Sequence, residues 1–361
     1  MLRAAVRRCL IIFLAAVAAL APAAPLGRAA AVSPLDLAWQ AWERGDPDTT
    51  AYWAEQAGET PEALCLRALE AARHNSPGLV RYCLQKAAEA GVIDGRAALA
   101  LGWVQCYLGE PDQAAEALAR ARDTGDAWLQ AASLEGEAYA WLQAGKPARA
   151  WRLAKGFARL RPDSAAAWAL LGDVALEFHD ARLAAAMYRR ALALSPGHPR
   201  SMAGQATAML LSGDADAAWT RYRAVLDQEL TDPRAAVFAL AGAAAVLLAR
   251  GEEGLAREIL STISAALAPL EVRPHLHAPA AGFVPRASSV GDAALRYVLP
   301  PALARAAGYC SAALAVAGGT AEPSPALVQE QRDLSRLLLP EPWRVLLSRV
   351  DSLAWGMPGT F

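Results

Sequence analysis

The sequence predicts an all-α fold: an α-α superhelix of about six to seven stacked helical hairpins closed by a helical C-terminal cap. Two observations carry this. The first is the stretch Ala165–His198, in which Trp168, Leu171, Gly172 and Ala175 are followed by Ala184, Tyr188, Ala191 and Pro196. Trp168, Leu171 and Ala175 make an apolar stripe on one helix, and Ala184, Tyr188 and Ala191 make one on a second. Gly172 and Ala184 are small enough for the two helices to approach closely, and Pro196 stops the second one because its ring cannot continue the hydrogen-bond ladder. The second is a recurring turn. Gly109, Gly145, Gly213 and Gly251 are separated by 36, 68 and 38 residues, near one or two multiples of 34. His179-Asp180 fills the turn that falls inside the longest gap. Gly accepts the left-handed backbone where a helix ends and reverses. One hairpin cannot bury its own faces, so neighbours must stack on it, and 361 residues suit a solenoid that grows by addition.

Composition agrees. Hydrophobic residues make up 55% of the chain, mostly Ala and Leu, and alternating β-branched runs are nearly absent. Lys86, Lys146 and Lys155 are the only lysines, and arginine carries the rest of the positive charge, the pattern of a GC-rich bacterial genome. The formal net charge is −1 and no basic block stands out. That excludes a nucleic-acid-binding face, which must neutralise phosphates.

Along the chain, residues 1–31 read as a secretory leader. Arg3, Arg7 and Arg8 precede the apolar core Cys9–Ala21, and small residues follow at Ala23, Ala24 and Ala29 to Ala31. The core is short for a bilayer of about 30 Å, so cleavage is expected, with an uncleaved anchor helix as the alternative. The mature chain is then expected in the periplasm or elsewhere outside the cytoplasm, with no stable membrane span.

The array is expected over 32–270, in units near 32–60, 61–94, 95–128, 131–164, 165–198, 199–232 and 237–270. The opening unit is truncated: Trp39 and Trp42, the turn Gly45-Asp46-Pro47, then Tyr52 and Trp53. In each later unit a stripe such as Leu64/Ala68/Ala71 or Met202/Ala206/Met209 leads to a turn and a second stripe. Pro274, Pro279, Gly282 and Pro285 break the pattern, so 271–289 is a linker or loop. Residues 290–361 form the cap. Its helices are expected over Ala302–Ala317, from Ser324-Pro325 with Leu327, Leu334, Leu337 and Leu338, and from Glu341-Pro342 with Trp343, Leu346, Leu347, Val350 and Leu353 on one side.

The order of small and large residues in Ala165–His198 resembles the tetratricopeptide repeat (TPR). The resemblance implies that first helices line a concave groove that takes peptides. Carried over unit by unit, groove positions include Glu62, Cys65, Leu69, Ala72 and Arg73, then Arg96, Leu99, Trp103, Cys106 and Tyr107. Ala132, Glu135, Tyr139, Leu142 and Gln143 follow, then Ala166, Ala169, Asp173, Leu176 and Glu177. The partner site expected from these is Arg73, Arg96, Trp103, Tyr107, Glu135, Tyr139, Leu142 and Gln143, because large aromatics beside a few polar groups anchor binding surfaces. The other reading of the aromatics is that they pack against the adjacent hairpin. The family's basic clamp for a C-terminal carboxylate needs Lys and Asn that these positions lack.

No catalytic, cofactor or metal constellation emerges. His74, His179 and His198 fall at turns or unit ends, where solvation accounts for them. His275 and His277 lack the further ligands that zinc needs. Cys65 and Cys83 fall on the two helices of one hairpin, where either a bridge or free buried thiols is compatible with an oxidising compartment. The function implied is a non-catalytic scaffold for a protein or peptide of the cell envelope. An accessory part of a cell-wall enzyme and a carrier of an apolar ligand are the alternatives.

Overall fold

The computed structural model describes residues 32–267 and 301–356, apart from positions 45, 74–75, 94, 125, 228–232 and 338. The expected leader, the 271–289 linker, His74, His275, His277 and Leu338 lie outside the described residues. Among the described residues every regular element is a helix. They are α1 (Pro34–Arg44), α2 (Pro47–Gln56), α3 (Pro61–Arg73), α4 (Pro77–Ala90), α5 (Gly95–Leu108), α6 (Pro111–Arg122), α7 (Ala127–Gln143), α8 (Pro147–Leu160), α9 (Ala165–Glu177), α10 (Ala181–Leu194), α11 (Pro199–Leu211), α12 (Ala215–Leu226), α13 (Pro233–Ala249) and α14 (Glu253–Leu267). The last three are α15 (Pro301–Ala317), α16 (Pro325–Leu334) and α17 (Trp343–Trp355).

Local chemistry sets the hairpin boundaries. Proline opens α2, α4, α6, α8 and α11, where its missing N–H costs nothing. Asp46, Asp180 and Asp214 accept from backbone N–H groups three residues on and so cap α2, α10 and α12. Gly109, Gly145, Gly213 and Gly251 all have positive φ, between 66° and 85°. After each, the next N–H returns five residues to a helix carbonyl, as from Lys146 to Trp141 at 2.8 Å. The fifth turn has the same bond, Asp180 N–H to Ala175 at 3.0 Å, and there His179 takes the left-handed conformation at φ 56°.

The hairpins stack by wedging one large side chain of a second helix between the first helices on either side. Leu118 of α6 fills the space opposite Gly102 of α5 and Gly136 of α7, and Tyr188 of α10 does so between Gly172 of α9 and Gly204 of α11. A Cβ at any of these four glycines would lie within 3.0 Å of the wedge. Glycine there is a packing requirement, stronger at Gly172 than the close approach read from sequence. Polar ties repeat with the units: Lys146 bonds Asp112 at 2.9 Å, and Arg250 bonds Asp216, both 34 residues apart.

Beyond α14 the described residues form α15, α16 and α17. Helix α15 packs on α14, and α17 packs on α13 and α15. Ser324 caps α16, which is tied to α15 by a two-pronged Arg305–Glu330 pair at 2.8 and 3.0 Å. Trp343, Leu346, Leu347 and Val350 are buried. Leu353 and Leu337, expected on the apolar faces, are exposed instead: Leu337 lies in the turn after α16 and Leu353 in the last turn of α17. Tyr309 donates to buried Asp351 and accepts from the Trp355 indole at 2.9 Å. Cys65, Cys83, Cys106 and Cys310 are buried and none of them is in a disulfide. His198, expected to be solvated, is buried instead and caps α11, bonding Ser201.

Candidate partner-binding groove

The first helices α3, α5, α7, α9, α11 and α13 present their groove positions side by side, but few of those positions meet solvent. Trp103 and Tyr107 keep 2% and 1% of their surface, and Tyr139 keeps 8%. The exposed aromatic wall expected from the groove frame is therefore closed. The cause is the Leu118 wedge: with no Cβ at Gly102 and Gly136, α5 and α7 draw together and the Trp103 and Tyr139 rings meet at 5.6 Å, tilted by 31°. Burial raises the Tyr107 hydroxyl pKa to about 12. Glu135 is fully buried, and Leu142 and Gln143 are half-buried. Arg73 ends α3, with its side chain outside the described residues. Arg96 makes a polar contact at the groove's rim.

What Arg96 meets is the chain's own N-terminal helix. Asp36 of α1 pairs with Arg96 in the first turn of α5. Trp39 donates its indole N–H to Glu62 in the first turn of α3 at 2.8 Å. Its ring meets Trp128, in the first turn of α7, edge to face at 5.9 Å. Trp128 in turn donates to Glu43 of α1 at 3.0 Å, and the Arg96 guanidinium lies 5.3 Å from the Trp128 ring centre. Glu62 and Arg96 are groove positions, and Trp128 stands one turn before Ala132 on α7. Asp36, Trp39 and Glu43 are spaced i, i+3, i+7, one face of a helix. Helix α1 thus reaches three successive first helices, whereas in the regular stack a helix touches its immediate neighbours. Beneath it, Ala38, Trp39 and Trp42 join the same apolar cluster as Leu69, Leu99, Trp103 and Tyr139.

The far end of the wall is occupied in a parallel way. Helix α17 lies on α13, and its Arg344 extends to Glu177, the last groove position of α9, at 2.9 Å. Arg344 also faces Glu341 at 3.2 Å, so one guanidinium serves two carboxylates. Burial, set against that guanidinium, still raises the pKa of both Glu177 and Glu341. One turn earlier on α9, Asp173 accepts from Tyr188 at 2.5 Å and from Arg200. The acidic face of α9, groove-lining by the sequence frame, is thus taken up by the chain's own Arg200 and Arg344.

Asp36, Glu43, Trp128 and Arg344 are not singled out by the sequence reading, and Trp39 and Trp42 figure in it only as the stripe of the opening unit. The i, i+3, i+7 pattern of Asp36, Trp39 and Glu43 was the available signal. Among the described residues no group of three or more His, Cys, Asp or Glu side chains is placed to hold a metal ion, and no helix is long and apolar enough to cross a membrane.

No protein-family model matches the sequence, and no curated protein matches it. Solved structures do. A chain of the APC/C hetero-tetramer Cut9–Hcn1 is 20% identical with a TM-score of 0.52, covering 68% of this chain and 48% of that one. PilW, described as a widely conserved type IV pilus biogenesis factor, is 13% identical with a TM-score of 0.45, covering 54% and 91%. A tetratricopeptide repeat protein from Parabacteroides merdae is 12% identical with a TM-score of 0.44, covering 88% and 97%. At these identities the likeness is one of fold: a solenoid of tetratricopeptide-like hairpins.

Proposed function

We propose that this chain is a non-catalytic scaffold outside the cytoplasm whose first-helix wall holds a protein partner of the cell envelope. The observation that carries the reading is the seat of α1. An amphipathic helix lies on three successive first helices, held by two indoles, three carboxylates and one guanidinium, all from side chains. A wall that takes one helix this way has the chemistry to take another, the helix-in-groove mode of recognition. The export half rests on the leader pattern of residues 1–31.

Two measurements test it. A fusion of residues 1–40 to alkaline phosphatase, which is active only after export, should be active in cells; an inactive fusion that accumulates inside the cytoplasm removes the extracytoplasmic reading. Photocrosslinking from position 96 in intact cells should trap one discrete envelope protein. Only self-adducts from that position would remove the scaffold reading.

A further inference from the structure

The seat of α1 has features that a permanent first unit does not need. The other hairpins pack on their sequence neighbours, while α1 places Asp36 against a residue 60 positions away, across one intervening hairpin, and Trp39 against one 89 positions away, across two. Its continuity with the array runs through α2 and the short connector 57–60, where Gly58, Glu59 and Thr60 are exposed. Gly58 has φ 76°, and a Cβ there would meet nothing within 4 Å. The space beside Gly58 is therefore open, while Thr60 caps α3 by accepting from the Ala63 N–H at 3.2 Å, so opening the wall would turn α1 with α2 about Gly58 as one hairpin and give up the packing of α2 on α3. The polar part of the seat is at the rim: the Arg96 and Asp36 side chains are 34% and 42% exposed. A pair that open exchanges one carboxylate for another at small cost.

We propose that α1 is an internal stand-in for the partner, and that the partner presents an amphipathic helix of the same pattern: an acid, an aromatic three residues on, a second aromatic three further, then an acid. The incoming carboxylates take Arg96 and the Trp128 indole N–H, and an incoming aromatic takes Glu62 and the edge of Trp128. The proposal deepens the scaffold reading and rests on it for the place of binding. Its consequence is a threshold. A tethered helix competes at an effective concentration on the order of millimolar, so only a partner that matches the pattern well opens the wall. The released hairpin bares Trp39 and Trp42, which makes opening costly in the partner's absence.

The test uses the full exported chain and a fluorescein-labelled peptide of the sequence Ser33–Arg44 as probe. In the parent the tethered α1 should keep the peptide off. In an Asp36→Lys, Trp39→Ala double variant the peptide should bind at least tenfold tighter, and adding Arg96→Glu should abolish that gain. A double variant that keeps the parent's far-UV helicity and binds no tighter than the parent overturns the proposal. Should the double variant lose helicity, the measurement passes to the milder Asp36→Asn, which weakens the hold of α1 on Arg96 and leaves Arg96, Glu62 and Trp128 in place. That variant should bind the peptide severalfold tighter than the parent; binding no tighter than the parent overturns the proposal. The two readings separate cleanly. Tighter peptide binding with no crosslinked envelope protein sinks the scaffold and leaves the stand-in standing, while a crosslinked partner with unchanged peptide binding does the reverse.

Discussion

Gly204→Ala in α11 isolates the wedge that spaces the hairpins. The new Cβ would fall inside 3.0 Å of Cζ, Cε1 and Oη of Tyr188, whose ring is fully buried. The ring has no retreat. On its other side the Cβ position of Gly172 is already 2.6 to 2.8 Å from Cε1, Cζ and Cδ1, and its hydroxyl is bonded to Asp173. Overpacking a core by one methyl costs about 1–3 kcal/mol, and a clamped ring puts this site near the top of that range. Against it stands the helix preference of Ala over Gly, about 1 kcal/mol. The expected net loss is therefore about 2 kcal/mol. Gly308 supplies the control: it lies inside α15, exposed, with nothing within 4 Å of an added Cβ. Gly308→Ala keeps only the propensity gain and should stabilise by up to about 1 kcal/mol. One substitution in two helices should thus differ by about 3 kcal/mol.

Guanidinium unfolding followed by far-UV circular dichroism should rank the midpoints Gly308→Ala, parent, Gly204→Ala from highest to lowest. Shortening the wedge should remove the penalty, so Gly204→Ala combined with Tyr188→Leu should cost no more than Tyr188→Leu alone. A Gly204→Ala midpoint at or above the parent's would refute the wedge.

Other residues give further predictions. Glu137 is buried beside Arg122, bonded at 2.6 and 2.9 Å, yet burial outweighs the guanidinium and raises its pKa from 4.5 to about 7. Between those values the folded chain holds a proton that the unfolded chain lacks, so stability rises as pH falls from 7 towards 4.5. Relative to Glu137→Gln, the parent's unfolding midpoint should gain over that window and flatten below it. Arg344→Ala leaves Glu177 and Glu341 buried together without a cation; it should cost about 3–5 kcal/mol at neutral pH, read as faster hydrogen exchange in α17, and recover in part in acid. Burial, then the neighbouring Cys83, raises the Cys65 thiol pKa to about 12. Iodoacetamide at pH 8 should label it at least on the order of a hundredfold more slowly in the folded chain than in guanidinium, with or without prior reductant.

How much of this was legible in the chain follows from the range of each interaction. Helix ends were readable because capping is local: Asp214 reaches three residues, and the Lys146 N–H returns five. The His179 turn was readable only as a gap in a glycine series, since nothing in a histidine announces a left-handed backbone. Groove positions were readable too, being a periodicity, but their exposure was not. Whether Trp103 meets water depends on how closely α7 approaches α5, and that distance is set by Gly102, Gly136 and a leucine on a third helix.

Helix α1 marks the boundary most sharply. Trp39 and Trp42, read as the stripe of a truncated opening unit, do form an apolar face, but periodicity names a face and not the surface it meets. Asp36, Trp39 and Glu43 suit a stacked hairpin and a docked ligand equally as sequence. What separates the two is that Arg96, Glu62 and Trp128, each in the first turn of a different helix, converge on one short segment. That convergence exists only once the solenoid has curved. A repeat that builds its own wall therefore also determines which segment can fill it, and here the segment nearest to hand is the chain's own beginning.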